Sequence, residues 1–148
     1  MTKQSILVLC TGNSARSQMA EGLIRDQHGD RFIVHSAGTR PSIVRPEAIR
    51  VMSEIGIDIS DHRSKSVDEF TDRPIDIVLT VCDNARETCP YFPGAAKIIH
   101  RSFEDPAEAT GDEDVRLEAF RHARDQILDF TQNEFVRLII EDGRNADG

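Results

Sequence analysis

Three features of the sequence predict an α/β fold built on a parallel sheet. Short, continuously apolar runs recur along the chain, helical stretches alternate with them, and turn residues stand at the joins. The runs are Ile6-Leu7-Val8-Leu9, Phe32-Ile33-Val34, Ile75 to Val81 and Lys97-Ile98-Ile99. A run apolar at successive positions is the pattern of a strand covered on both faces, and buried strands alternating with helices favour parallel pairing through right-handed crossovers. The expected architecture is a single domain over 1–148. Its four-stranded parallel sheet is flanked by helices on both faces, with the first strand inside.

The helices are read from their punctuation. Ser17 to Gln27 runs up to Gly29, and Pro46 opens a helix to Ile55 where a missing amide costs nothing, before Gly56 stops it. From Asp112 to Ile140, Val115, Phe120, Ala123, Ile127, Phe130 and Phe135 recur at amphipathic spacing, which predicts one long helix. No linker, repeat or low-complexity tract interrupts the chain, and only the polar end 141–148 reads as a frayed tail.

Composition bounds the function. A chain of 148 residues, 39% hydrophobic and 30% charged, buries about 68–70% of its unfolded surface, so it needs no disulfide or metal to hold a core. Its three cysteines therefore call for another explanation. A net charge of −8 argues against binding nucleic acid or an anionic membrane, both of which reward a basic surface. No run approaches the ~20 apolar residues of a membrane span, and Met1 to Ser5 leads straight into the first strand with no signal peptide. The expected location is cytoplasmic. In that reducing compartment an odd number of cysteines leaves buried thiols, metal ligands or redox chemistry.

In open α/β sheets ligands bind beyond the carboxyl ends of the strands. There, after Leu9, stands Cys10-Thr11-Gly12-Asn13-Ser14-Ala15-Arg16-Ser17, followed by a helix. The amides of residues 11 to 16 can curl round a tetrahedral anion, the helix N-terminus adds partial positive charge, and Arg16 can donate two parallel hydrogen bonds. Gly12 and Asn13 tolerate the left-handed backbone of such a curl. The same field should lower the Cys10 pKa below the usual ~8.5, with Ser17 donating to the sulfur, which makes Cys10 a nucleophile aimed at the bound anion.

Asp105, before Pro106, follows the Lys97 run and can reach this loop from the same sheet edge. It is either an acid for a departing oxygen or the start of an Asp-Pro turn in a solvated acidic patch with Glu104 and Glu108. Cys82 directly follows Val81 and so shares the edge with Cys10. If their strands are neighbours, ~4.8 Å apart, the two sulfurs can bond after modest movement, and otherwise Cys82 is one more buried small residue. Cys89 closes the polar segment 83–88, which can form a short helix. A helical path from Cys82 to Cys89 separates their Cα atoms by about 10 Å, beyond the ~4.4–6.8 Å a disulfide allows, so bonding them requires the segment to unwind.

The stretch from Cys10 to Glu21 resembles the active-site loop of the low-molecular-weight tyrosine phosphatase superfamily, most closely its thioredoxin-coupled arsenate reductases. The resemblance continues in His35-Ser36-Ala37-Gly38-Thr39, in Gly56 to Ser64 and in Phe103-Glu104-Asp105-Pro106-Ala107. Ala15 stands where many members carry a second, non-nucleophilic cysteine. The resemblance implies that Cys10 attacks arsenate, that Asp105 is the general acid, and that Cys10–Cys82 and Cys82–Cys89 disulfides form in turn. Thioredoxin would supply the electrons, with no cofactor bound to this chain. A tyrosine phosphatase using the same Cys10 and Asp105 is the rival. Ala107 argues against it, where such phosphatases carry aromatic residues, and so do a single tyrosine, Tyr91, and the lack of tryptophan.

Metal binding is not expected: His28, His35, His62, His100 and His122 are scattered, none at zinc-site spacing from a cysteine, and read as surface or capping residues. Part of the resembled family holds an alkali cation, and Asn13, Glu21 and Ser36 match residues used there. Lys65 stands where those relatives have an acid, so its ammonium is expected to replace the ion.

Overall fold

The computed structural model describes residues 3–83, 92 and 94–139. Four parallel strands, β1 (Gln4–Cys10), β2 (Phe32–Gly38), β3 (Ile77–Thr80) and β4 (Lys97–His100), form one sheet in the order β2-β1-β3-β4. The inner strand β1 is wholly buried from Ile6 to Leu9, as its unbroken apolar run predicts. The outer strands depart from that expectation. Ile33 on β2 and Ile98 on β4 are exposed, because an edge strand is covered less completely than an inner one.

The first crossover helix, α1 (Arg16–His28), packs its first half so deeply that every residue from Ser17 to Ile24 is buried. Gly22 makes this possible: a Cβ there would stand 2.9 Å from Ile59 Cγ2 and 3.2 Å from Met52 Cε. The second, α2 (Pro46–Ser53), begins at the proline as expected and ends short of Gly56, whose φ of +82° suits the left-handed turn only glycine adopts freely.

The last helix is not the single amphipathic rod expected from its sequence. α3 (Glu113–Asp129) gives way to a π turn at Phe130–Glu134 before helical residues 135–139. The wider turn lets Phe130 and Phe135 both face the core, with ring centroids 5.8 Å apart. Val115, expected in the core, is exposed; Leu117 is buried in its stead. Asp112 caps α3 by accepting from the Val115 amide. Arg124 ties α3 to α2, donating through Nη1 to the Val51 carbonyl at 2.8 Å and to Glu54 at 2.9 Å, while Arg121 grips the same Glu54 carboxylate.

Candidate oxyanion site at the carboxyl edge of the sheet

The strand order sets the chemistry. Because β1 pairs with both β2 and β3, the segment after Cys10 emerges between Gly38 on one side and the end of β3 on the other. Residues 11 to 15 form the connection to α1. The curl needs left-handed backbone at one position only, Asn13 with φ 48°; Gly12, also expected there, has ordinary backbone. Asn13 sits fully buried beneath the loop and is held on four sides. Its Nδ2 donates to Ser17 Oγ at 2.8 Å and Ser36 Oγ at 2.9 Å, and its Oδ1 accepts from Gln18 Nε2 and from the Lys65 amide, both at 3.0 Å. Such a saturated amide can hold an unfavourable φ in place. Gly38 lets the loop lie against β2, since a Cβ there would be 2.6 Å from the Thr11 carbonyl oxygen and 2.9 Å from the Asn13 amide nitrogen.

Outside the loop, the 39–45 connection braces it through backbone bonds. The Arg40 amide donates to the Thr11 carbonyl, that of Ser42 to Gly12 and that of Arg45 to Ser14, while Ser64 Oγ donates to the Gly12 carbonyl at 2.9 Å. These contacts occupy carbonyls and leave the curl's shape fixed from behind.

Arg16 opens α1 and reaches back across the edge. Its Nη1 donates to the Phe103 carbonyl at 3.0 Å, and its Nη2 lies 3.6 Å from Asp105 Oδ2. Its Nε is buried and has no hydrogen-bond partner among the described residues. A buried guanidinium donor left unpaired is costly, and an anion in the loop would satisfy it. Asp105 does start a turn, its Oδ1 accepting from the Ala107 amide at 3.0 Å, yet its other oxygen faces Arg16. The turn weighed from the sequence is thus present, and the second carboxylate oxygen remains at the Arg16 guanidinium.

Cys10 and Cys82 come together as buried thiols, 3% and 4% exposed. Val81 donates its amide to the Leu9 carbonyl, which carries the β1–β3 ladder to the edge; Cys82 then lies against Thr11, whose Oγ1 is 3.3 Å from the Cys82 sulfur. The expected lowering of the Cys10 pKa is reversed. The hydrogen bond to the Cys82 thiol, followed by burial, pushes the Cys10 thiol up, against the lowering by the Arg16 guanidinium and the Thr11 amide. Two thiols in contact cannot both ionise readily, and each favours the proton on the other. Ser17, expected to donate to the sulfur, accepts from Asn13 Nδ2, and the groups that shift Cys10 are Cys82, Arg16 and Thr11. Cys89 and the segment 84–88 lie outside the described residues.

Behind the loop lies a buried ionic cluster. Glu21, 5% exposed, accepts from Ser36 Oγ and from Arg25 Nη2 at 2.7 Å, and its Oε1 is 3.8 Å from Lys65 Nζ. Asn13, Glu21, Ser36 and Lys65 are thus brought to one place, with the ammonium against the carboxylate. Burial pulls the Lys65 pKa down, opposed by Glu21. His62, expected as a surface or capping residue, is half-buried. Gln18 Nε2 donates to Asn13 and to the Arg63 carbonyl, so its Oε1 accepts from His62 Nδ1 at 2.9 Å, and His62 Nε2 then accepts from Arg25. Burial pulls the pKa of this histidine below its usual 6.5, opposed by the Glu21 carboxylate. Among the described residues no group of three or more His, Cys, Asp or Glu is arranged to hold a metal, and no helix is long and apolar enough to cross a membrane.

A thiol and an arginine converging on a curled loop at the carboxyl edge of a parallel sheet define a class of oxyanion-handling α/β proteins. Within that class, the chain belongs to the low molecular weight phosphotyrosine protein phosphatase family, whose model matches residues 5–135. It is 43% identical over 127 residues to a protein named arsenate reductase from Halalkalibacterium halodurans, covering 86% of this chain and 91% of that one. A protein of the same name from Bacillus subtilis is 42% identical over the same lengths. Among solved structures, an arsenate reductase in its phosphate-binding state superposes with TM-score 0.72 at 30% identity, covering 90% of this chain and 98% of that one. The low molecular weight protein tyrosine phosphatase of T. tengcongensis superposes with TM-score 0.75 at 28% identity, covering 91% and 99%.

Proposed function

We propose that this protein reduces arsenate to arsenite through a relay of its three cysteines, with thioredoxin as the reductant. The observation that carries the reading is the Cys10–Cys82 thiol pair, with Cys82 lying against the oxyanion loop at Thr11. A phosphatase needs only the first thiol, whereas a reductase needs a second within reach of it, and relatives at 42–43% identity are named for the reduction.

Arsenate binds the amides of Thr11, Gly12, Asn13, Ser14, Ala15 and Arg16, with Arg16 Nε as a further donor. The Cys10 thiolate attacks arsenic, an oxygen departs as water with a proton from Asp105, and a Cys10 sulfur–arsenic bond forms. Arg16 holds Asp105 at the site. The proton of Cys10 passes out before attack, for which the Arg16 charge and loop amides supply the pull. Cys82 then attacks the Cys10 sulfur. A disulfide forms, the sulfur–arsenic bond breaks with its electron pair left on arsenic, and arsenic(V) leaves as arsenic(III) in arsenite. Cys89 attacks Cys82, Cys10 departs as thiolate, and thioredoxin reduces the Cys82–Cys89 disulfide. The electrons come from thiols throughout, so the chain itself carries no redox cofactor. The acidic surface fits a protein that engages neither nucleic acid nor membrane, and a reducing, cytoplasmic setting fits thiols that must be regenerated.

Lys65 takes the place of a bound alkali cation in this reading, its ammonium neutralising Glu21 behind the loop. The phosphatase reading rests on the family match and on the Arg16–Asp105 pair, which would serve phosphate as well. A test separating the two supplies arsenate to the reduced protein with no external reductant. The relay predicts a single arsenite per protein molecule and loss of free thiols, whereas a phosphatase alone produces no arsenite and turns over an aryl phosphate without thiol loss.

A further inference from the structure

The bonds of His100 tie together the residues on either side of Cys82. β4 pairs with β3 so that His100 stands opposite Thr80, the last residue of β3, and the imidazole Nδ1 is 2.7 Å from Thr80 Oγ1. Its Nε2 is 3.0 Å from Asp83 Oδ1. A carboxylate only accepts, so Nε2 carries the proton and Nδ1 accepts from the threonine hydroxyl. Thr80 is buried, and its carbonyl accepts from the Arg101 amide, so that end of the bracket is fixed to the sheet. The other end grips Asp83. Between them lies Cys82, with its sulfur toward Thr11 and Cys10.

We propose that His100 is a positioning residue for the second thiol: by bridging Thr80 and Asp83 it fixes the backbone on either side of Cys82, aiming that sulfur at Cys10. This rests on the relay reading above and deepens it. The step it governs is attack of the Cys82 thiolate on the Cys10 sulfur, in which the sulfur–sulfur bond forms and the sulfur–arsenic bond breaks with its electrons kept by arsenic. Among the described residues His100 bonds to Thr80 and Asp83 and not to the oxyanion loop, so loss of the bracket is expected to leave phosphate binding in place.

The test uses the full chain carrying Cys89→Ser, so that oxidation stops at Cys10–Cys82, and follows that disulfide after rapid mixing with arsenate by quenching, alkylation and mass measurement. Asp83 is exposed, so Asp83→Ala leaves the fold intact, and the predicted effect is disulfide formation about threefold to tenfold slower, as an exposed charge-assisted contact allows. Asp83→Asn, whose amide oxygen still accepts from Nε2, keeps the rate within about twofold of the parent. His100→Ala slows the step similarly, and combining it with Asp83→Ala slows it no further, as a shared contact requires. Inhibition by inorganic phosphate stays unchanged in all of them. An Asp83→Ala rate equal to the parent's, or additive losses in the double variant, overturns the proposal. If the parent itself forms no disulfide with arsenate, the relay reading fails. The bracket is then judged with oxidised dithiothreitol, where the same ordering of rates supports it and equal rates refute it.

Discussion

Arg16 Nη2 and Asp105 Oδ2 stand 3.6 Å apart, while the same guanidinium is anchored through Nη1 to the Phe103 carbonyl. In the proposed mechanism one side chain therefore both serves the anion and holds the candidate acid. Arg16→Lys keeps the charge but loses the planar fork, and activity should fall about 10²–10³-fold, as when an oxyanion donor is removed. Steady-state rates with arsenate check this, and a loss under tenfold would show that charge alone suffices.

Asp105→Asn cannot deliver a proton to the departing oxygen. Since arsenate exchanges oxygens readily, arsenate reduction should slow by about tenfold, the lower end of what general acids contribute, and hydrolysis of an aryl phosphate by considerably more. Comparing the two rates in one variant measures the difference; equal losses would deny the acid its role.

Cys82→Ala removes the contact that raises the Cys10 pKa most, leaving the Arg16 and Thr11 contributions that lower it. Cys10 should then ionise at lower pH, read from thiolate absorbance or from the pH dependence of alkylation. An unchanged profile would mean that burial, the second cause, dominates.

Much of this was legible in the sequence. The strand runs, the interior place of β1 and the loop after Cys10 follow from apolar patterning and from the rule that sites form at the carboxyl ends of strands. Less legible were effects that depend on a neighbour distant in sequence. The raised Cys10 pKa needs Cys82 beside it, His62 is half-buried and bonded to Gln18 and Arg25, and the π turn follows from where Phe130 and Phe135 must pack. Gly38 carried a signal that could have been read, a glycine at a strand end opposite the loop; its partner atoms appear only in the fold. Gly38→Ala should destabilise the protein by about 1–3 kcal/mol through overpacking and weaken phosphate inhibition as the loop shifts. Thermal unfolding alongside phosphate binding tests both.

Glu54 holds Arg121 and Arg124, and those contacts pull its pKa from 4.5 down to about 2. A carboxylate with a depressed folded-state pKa stabilises fully above the unfolded value and loses that contribution as pH falls, here from 4.5 to about 2. Glu54→Gln should flatten stability across that window while leaving the neutral-pH arsenate affinity unchanged. Denaturant unfolding at several acid pH values reads the slope.

The central claim is that oxidation passes from Cys10 through Cys82 to Cys89. Arsenite production with thioredoxin, its reductase and NADPH, measured for the Cys89→Ser variant, tests it most directly. The relay predicts about one turnover and a protein stalled with Cys10 and Cys82 joined. Sustained thioredoxin-driven turnover by that variant would contradict it.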